Sequence, residues 1–208
     1  MIEGVTLPTD RALVLCLEAH QRLVDRLSGL TDEQARQPSL LPDWTVGHVL
    51  THIARNADGH TRKLAGALRG EEVRRYPGGS EQRDGDIEAG ARRPASELIA
   101  DVAESNARLE ELWRQCVSAG WPHAELLAGD QWPVSDSPLR RLHEVEIHHF
   151  DLGLGYSVSD WPEEYSSWEL QQALRNLPGR LDDDQARQLL LWLIGRTPMP
   201  TVELGPWS

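Results

Sequence analysis

The sequence has few cysteines and no long run of apolar residues, and each absence excludes a class of protein. Only Cys16 and Cys116 occur among the 208 residues, which is too few for a disulfide framework. Both stand in helical patterns, where a cysteine usually serves as a small buried hydrophobic residue. No apolar stretch approaches the roughly 18 residues that a membrane-spanning helix needs, so the sequence predicts no transmembrane segment.

Basic residues are outnumbered by acidic ones, with 21 Lys and Arg against 33 Asp and Glu. The formal net charge is therefore −12, and the sequence pI is about 5.1. An acidic chain is repelled by phosphate backbones and by anionic lipid surfaces. We therefore expect neither nucleic acid nor a membrane as a partner. The first residues lack the basic region of a secretory signal, so a cytoplasmic location is expected. The oligomeric state is not readable from the sequence, with a monomer slightly favoured.

Apolar residues recur at helical spacing along most of the chain. With the usual start and stop signals, the pattern predicts four long helices, at about residues 9–28, 45–69, 94–117 and 137–152. Four such helices favour a bundle, and the fold class is expected to be mainly α. We expect the bundle to occupy residues 1–155. Residues 156–208 are expected to form a small region with two further helices and at most one short strand near the end.

Residues 71–93 separate the second and third predicted helices and are charged and glycine-rich. This composition predicts a long loop. A loop of this length inside a compact domain is usually functional or disordered.

Glu144 and His148 stand four residues apart in the fourth predicted helix, so both side chains leave the same face. His48 and His52 have the same spacing in the second helix. Two imidazole nitrogens and one carboxylate oxygen would leave one tetrahedral position of a zinc ion open, although the ligand type alone also admits Cu²⁺ or Ni²⁺. His149 with Glu146 is an alternative pair. A surface hydrogen bond between Glu144 and His148 is the plain alternative to any metal site.

Three segments resemble the mycothiol-dependent maleylpyruvate isomerase family, within the DinB-like, zinc-binding four-helix-bundle superfamily. Residues 41–58 (LPDWTVGHVLTHIARNAD) resemble its first metal motif, residues 76–90 (YPGGSEQRDGDIEAG) its loop, and residues 141–152 (RLHEVEIHHFDL) its second metal motif. The resemblance implies His52, Glu144 and His148 as the ligands. It thereby favours His52 over His48 and Glu144 over Glu146.

The resemblance also implies roles outside the ligand set. Family members carry a small α/β domain after the bundle, and residues 191–196 (LWLIGR) resemble one segment of it, but the strands before that segment are absent or shortened here. Arg196 is the best match to a catalytic arginine, or else is simply a cation at a helix C-terminus. Arg83 and Asn56 are expected to bind substrate. Asn56 and Asp151 are also placed to orient ligands, the alternative being hydrogen bonds on the helix surface.

The implied function is cis–trans isomerisation of maleylpyruvate to fumarylpyruvate. Zn²⁺ would bind the sulfur of mycothiol, a low-molecular-weight thiol that serves as cosubstrate, and so supply a thiolate without any protein cysteine. A mycothiol S-transferase would use the same thiolate on another electrophile, and the shortened C-terminal region favours that alternative. A non-enzymatic zinc-binding module is the third hypothesis.

Overall fold

A computed structural model describes residues 6–71, 73–122 and 132–201. Within these residues the secondary structure is helical, apart from a single antiparallel bridge between Pro38 and Thr45. The predicted mainly α class is confirmed. The α-helices are α1 (Thr9–Arg26), α2 (Asp32–Ala35), α3 (Val46–Leu68), α4 (Gly79–Gly90), α5 (Ala95–Ser118), α6 (Ser137–Asp151), α7 (Glu163–Asn176) and α8 (Asp183–Leu193).

The long helices α1, α3, α5 and α6 pack against one another as a four-helix bundle. Helix α3 contacts α5 and α6, and its inner face is apolar, with Val49, Leu50, Ile53 and Leu64 fully buried. Each such side chain contributes roughly 1.5–3 kcal/mol through burial. None of the described helices has the length and apolar character required to cross a bilayer.

Local signals in the sequence fix where the two site-bearing helices begin. The Thr45 side chain accepts a hydrogen bond from the His48 backbone N–H, and the His48 ring accepts one from the Thr45 backbone N–H. This reciprocal cap satisfies amide groups that the first turn of α3 leaves without partners. Helix α6 has Pro138 in its first turn, where a proline has no amide hydrogen to lose.

The prediction of a long loop over residues 71–93 is wrong, because about half of this segment forms helix α4. Helix α4 contains three glycines and few apolar residues, and Ile87 is its one buried residue. Tertiary contact explains the helix, since α4 packs on α3. The approach is close because Gly47 lacks a side chain at the point where the Ala91 carbonyl meets α3. This packing brings α4 beside the first turns of α3.

The contacts divide the chain into two compact units. The larger spans Leu7–Pro162 and holds the bundle, and the smaller contains α7 and α8. In the smaller unit, Asp182 caps α8 by accepting from the backbone N–H groups of Asp184 and Gln185. The domain boundary expected at residues 155/156 stays a prediction. At most one short strand was expected, over residues 201–204, and all of that segment except residue 201 lies outside the described residues.

We predict that Gly47→Ala destabilises the protein although alanine favours helix. The added methyl group would collide with the Ala91 carbonyl oxygen, and such overpacking costs about 1–3 kcal/mol. Gly85→Ala is the matched control, because nothing lies near its Cβ position on α4, and it should stabilise by roughly 0.5–1 kcal/mol. Urea unfolding of both variants measures the two effects. Equal stabilisation by both would contradict the close contact.

Candidate metal centre

Helices α3 and α6 bring His52, Glu144 and His148 together. The His52 Nε2 lies 3.0 Å from Glu144 Oε2, and the His148 Nε2 lies 3.4 Å from the same oxygen. One possible ligand atom from each residue falls within 4.8 Å of the others. The two imidazole rings meet edge to face, with 4.5 Å between their centroids. The i, i+4 spacing of Glu144 and His148 therefore does place both side chains on one face.

The other candidates from the sequence lie elsewhere. His48 is engaged in the cap of α3, and its Nε2 lies 3.1 Å from Glu88. Glu146 accepts a hydrogen bond from Arg22 at 2.6 Å, while His149 stacks on Tyr156. Among the described residues, His52, Glu144 and His148 are the one group of three His, Cys, Asp or Glu side chains close enough to share an ion.

The carboxylate of Glu144 is electrostatically coupled to both imidazoles. Burial opposes its charge, but hydrogen bonds from His148 and His52 outweigh burial and hold the Glu144 pKa well below its usual range. Burial also opposes protonation of His148, yet its bonds to Asp151 and Glu144 raise its pKa to about 9. Burial dominates at His52 and lowers its pKa. The cluster thus holds one negative charge at its centre.

Neighbouring side chains orient the two histidines. The His148 Nδ1 lies 2.8 Å from Asp151 Oδ2, so it donates there and Nε2 is left facing Glu144. An Nδ1–H bonded to a carboxylate is the usual arrangement behind a metal-binding Nε2. Arg83 on α4 donates to His52 Nδ1 at 3.2 Å, which puts the His52 proton on Nε2, toward Glu144. The Trp44 ring lies beside His52, with 5.6 Å between ring centroids.

Of the other predicted site residues, Arg83 thus lies at the cluster. Asn56 is one turn beyond His52 and is buried inside the bundle, not on a helix surface, and its Oδ1 accepts a hydrogen bond from Arg141 at 2.7 Å. Arg196 follows α8 in the smaller unit, where its backbone N–H donates to the Leu191 carbonyl at 2.8 Å. The substrate contacts of Arg83 and Asn56 and the catalytic role of Arg196 stay predictions.

The sequence interpretation missed a buried polar layer next to the cluster. Arg141, one turn before Glu144 on α6, donates to His20 at 3.3 Å, to Asn56, and to Asn106 on α5 at 2.9 Å. His20 in turn lies 2.8 Å from Glu110 through its Nδ1. The available signal was the position of Arg141, which shares the helical face of Glu144 and His148.

The family model described as the mycothiol maleylpyruvate isomerase N-terminal domain matches residues 16–153. The chain belongs to this family. The family predicted from the motifs is therefore confirmed.

Two solved structures also resemble the chain. They are the crystal structure of the mycothiol-dependent maleylpyruvate isomerase and that of its H52A mutant. Each match has 29% sequence identity and a TM-score of 0.71, and each covers 78% of this chain and 68% of the other. No curated protein sequence matches the chain. The mycothiol maleylpyruvate isomerase fold, a DinB-like helical bundle, thus extends over most of this protein.

The buried layer generates a prediction about acid stability. Burial lowers the pKa of His20 to about 4, with the Glu110 hydrogen bond opposing this shift and Arg141 adding to it. An unfolded histidine takes up its proton near pH 6.5, so the unfolded state binds more protons between about pH 6.5 and pH 4. The free energy of unfolding should fall over that interval by up to about 3 kcal/mol from this residue, and no further below it.

His20→Gln isolates this contribution, because glutamine donates and accepts without titrating. Urea unfolding between pH 7 and pH 4 should give a shallower loss of stability in the variant than in the native protein. Parallel curves for the two proteins would contradict a neutral, buried His20.

Proposed function

We propose that this protein is a mycothiol-dependent maleylpyruvate isomerase whose metal ion is Zn²⁺, held by His52, Glu144 and His148. The observation that carries the proposal is the convergence of these three side chains from α3 and α6, with their possible ligand atoms within 4.8 Å. Membership of the family and the similarity to the isomerase structures support it. A cytoplasmic location is part of the proposal, since the cytosol keeps thiols reduced.

The donor set fits a catalytic zinc ion. Two imidazole nitrogens and one carboxylate oxygen are a known three-ligand set, and such sites keep a fourth position open. No fourth His, Cys, Asp or Glu from the described parts of the chain joins the group. When bound there, the ion would lower the pKa of a thiol reaching the open position and so provide a thiolate near neutral pH.

The protein's own side chains prepare the site. Asp151 keeps a proton on His148 Nδ1. The Nε2 of His148 can therefore bind a metal ion once it has lost the proton that it donates to Glu144.

For His52 to offer Nε2 in the same way, its proton has to move to Nδ1, and Arg83 can then no longer donate there. The Nη2 end of the Arg83 guanidinium would thereby be released next to the site, while Nη1 stays paired with Asp84. A guanidinium matches a carboxylate with two parallel hydrogen bonds, so Arg83 is proposed to bind a substrate carboxylate.

The proposed reaction conserves every atom of the substrate. The thiolate sulfur of mycothiol adds to one carbon of the cis double bond, the remaining single bond rotates, and departure of the sulfur restores a trans double bond. The substrate has two carboxylates, so a second cation is required besides Arg83. Arg196 is proposed for that catalytic role, and Asn56 for a contact with the substrate.

A mycothiol S-transferase is the second candidate, since activation of the thiol is common to both reactions. The match covers only 68% of the solved isomerase chain. The remainder of that isomerase has no matched counterpart in this protein, and this difference favours the transferase. A transferase would release the thioether, whereas an isomerase regenerates the thiol. A non-enzymatic zinc-binding module is the remaining alternative.

Titration of the metal-free protein with Zn²⁺ tests the ligand set. We expect Asp151→Asn to weaken Zn²⁺ binding by about 10–100-fold, as losses of hydrogen-bond partners to metal ligands do. His52→Ala and His148→Ala should each weaken Zn²⁺ binding by more than Asp151→Asn does. His48→Ala is the matched control on α3 and should leave the affinity unchanged, because His48 caps the helix. Equal losses for His48→Ala and His52→Ala would contradict the ligand assignment.

The activity assay incubates the zinc-loaded protein with mycothiol and maleylpyruvate and follows the cis and trans isomers. We expect fumarylpyruvate to form with catalytic amounts of mycothiol, and no turnover with His52→Ala. Arg83→Ala and Arg196→Ala should raise KM or lower kcat without loss of zinc. Accumulation of a thioether with other electrophiles would support the transferase instead. Zinc binding with neither reaction would leave the non-enzymatic module.

A further inference from the structure

Arg141 is fully buried in the bundle, yet all three of its described side-chain partners are uncharged acceptors. Its guanidinium donates to an imidazole nitrogen of His20 and to the amide oxygens of Asn56 and Asn106. No carboxylate among the described residues forms an ion pair with it. The hydrogen bonds satisfy its N–H groups, but they leave its positive charge without a partner.

A buried charge without an ion-pair partner opposes folding, and proteins usually pair such charges or use them. Glu110, the acidic group of the layer, contacts His20 through the ring nitrogen Nδ1, whereas Arg141 contacts Nε2 of the same ring. His20 itself stays neutral because burial lowers its pKa to about 4. The neutral His20 ring therefore separates the Glu110 carboxylate from Arg141, and no carboxylate of the layer contacts the guanidinium directly.

Asn106 is the position where this charge could have been neutralised. It is buried, its Oδ1 accepts from Arg141 at 2.9 Å, and its Nδ2 has no hydrogen-bond partner. An aspartate has nearly the same shape and would keep the accepted bond. Replacing Nδ2 by a carboxylate oxygen would break no hydrogen bond, because Nδ2 makes none. The carboxylate would also form an ion pair with Arg141. The amide at this position thus leaves the cation unpaired although a simple alternative exists.

Arg141 lies where its charge acts on the candidate metal centre. It stands one turn before Glu144 on α6, and it holds Asn56, which stands one turn after His52 on α3. Among the carboxylates that interact electrostatically with Arg141, Glu144 has the largest effect.

With a divalent cation bound, Glu144 and Asp151 would each contribute one negative charge at the site, and Arg83 is paired with Asp84. Arg141 is then the cation next to the site that has no ion-pair partner in the described part of the chain. Its charge would attract a thiolate and repel a metal cation.

We propose that Arg141, kept unpaired by Asn106, is a buried electrostatic residue that favours binding of a thiolate at the His52–Glu144–His148 site at the expense of affinity for the metal cation. The proposal rests on the proposed function, because it requires a metal ion in that site. Arg141 contacts no ligand in this scheme and acts through its charge alone.

Asn106→Asp tests the proposal with little change of shape. Against the native protein, we expect the variant to bind Co²⁺ about tenfold more tightly and 2-mercaptoethanol, added to the Co²⁺-loaded protein, about tenfold more weakly, since one unit charge acting through a partly screened interior has effects of this order. Visible absorption of Co²⁺ follows the metal, and sulfur-to-cobalt charge transfer follows the thiol. The melting temperature should rise, because the buried cation gains a partner.

Asn106→Ala is the matched control at the same position, because it removes one acceptor but leaves the charge of Arg141. It should lower the melting temperature and leave the thiol affinity near the native value. A merely structural layer predicts instead that metal and thiol affinities move in the same direction, in proportion to the loss of stability.

Opposite shifts of the two affinities in Asn106→Asp, absent from Asn106→Ala, support the proposal. Unchanged affinities in Asn106→Asp, or parallel shifts in both variants, overturn it while leaving the proposed function intact. Failure of the native protein to bind Co²⁺ or the thiol overturns the proposed function, and this inference falls with it.

Discussion

The carboxylate of Glu144, set between two imidazoles, is the interaction on which the rest of the site depends. It joins α6, which carries Glu144 and His148, to α3, which carries His52. The bonds on the outer sides of the rings, from Arg83 to His52 and from His148 to Asp151, then fix how each ring presents its nitrogen. Because α3 and α6 pack in one bundle, the three side chains are held close together by the fold itself.

Helical periodicity and spacing were enough to predict the bundle and the shared face of Glu144 and His148. They were not enough to choose between His48 and His52, which have the same spacing on α3, and the choice came from the resemblance to the family. In the structure, His48 is occupied by the cap of its own helix. A Thr-x-x-His cap is hard to recognise in a sequence, because the usual residue at that position is Glu or Gln.

Two features could not be predicted, for different physical reasons. Helix α4 has a composition that disfavours helix, and it forms because it packs on α3 over Gly47, a contact that no local pattern reveals. The sequence does not predict a core position for Arg141, because arginines are almost never fully buried unless paired. Its acceptors come from α1, α3 and α5, which are far apart in the sequence.

The proposed site has a zinc ion held by His52, Glu144 and His148, with one position open to an external thiol. X-ray absorption spectroscopy of the zinc-loaded protein, with and without mycothiol, tests it most directly. The account predicts only nitrogen and oxygen neighbours in the absence of thiol, and one added sulfur at about 2.3 Å when mycothiol is present. A closed set of four protein ligands that mycothiol leaves unchanged would contradict it.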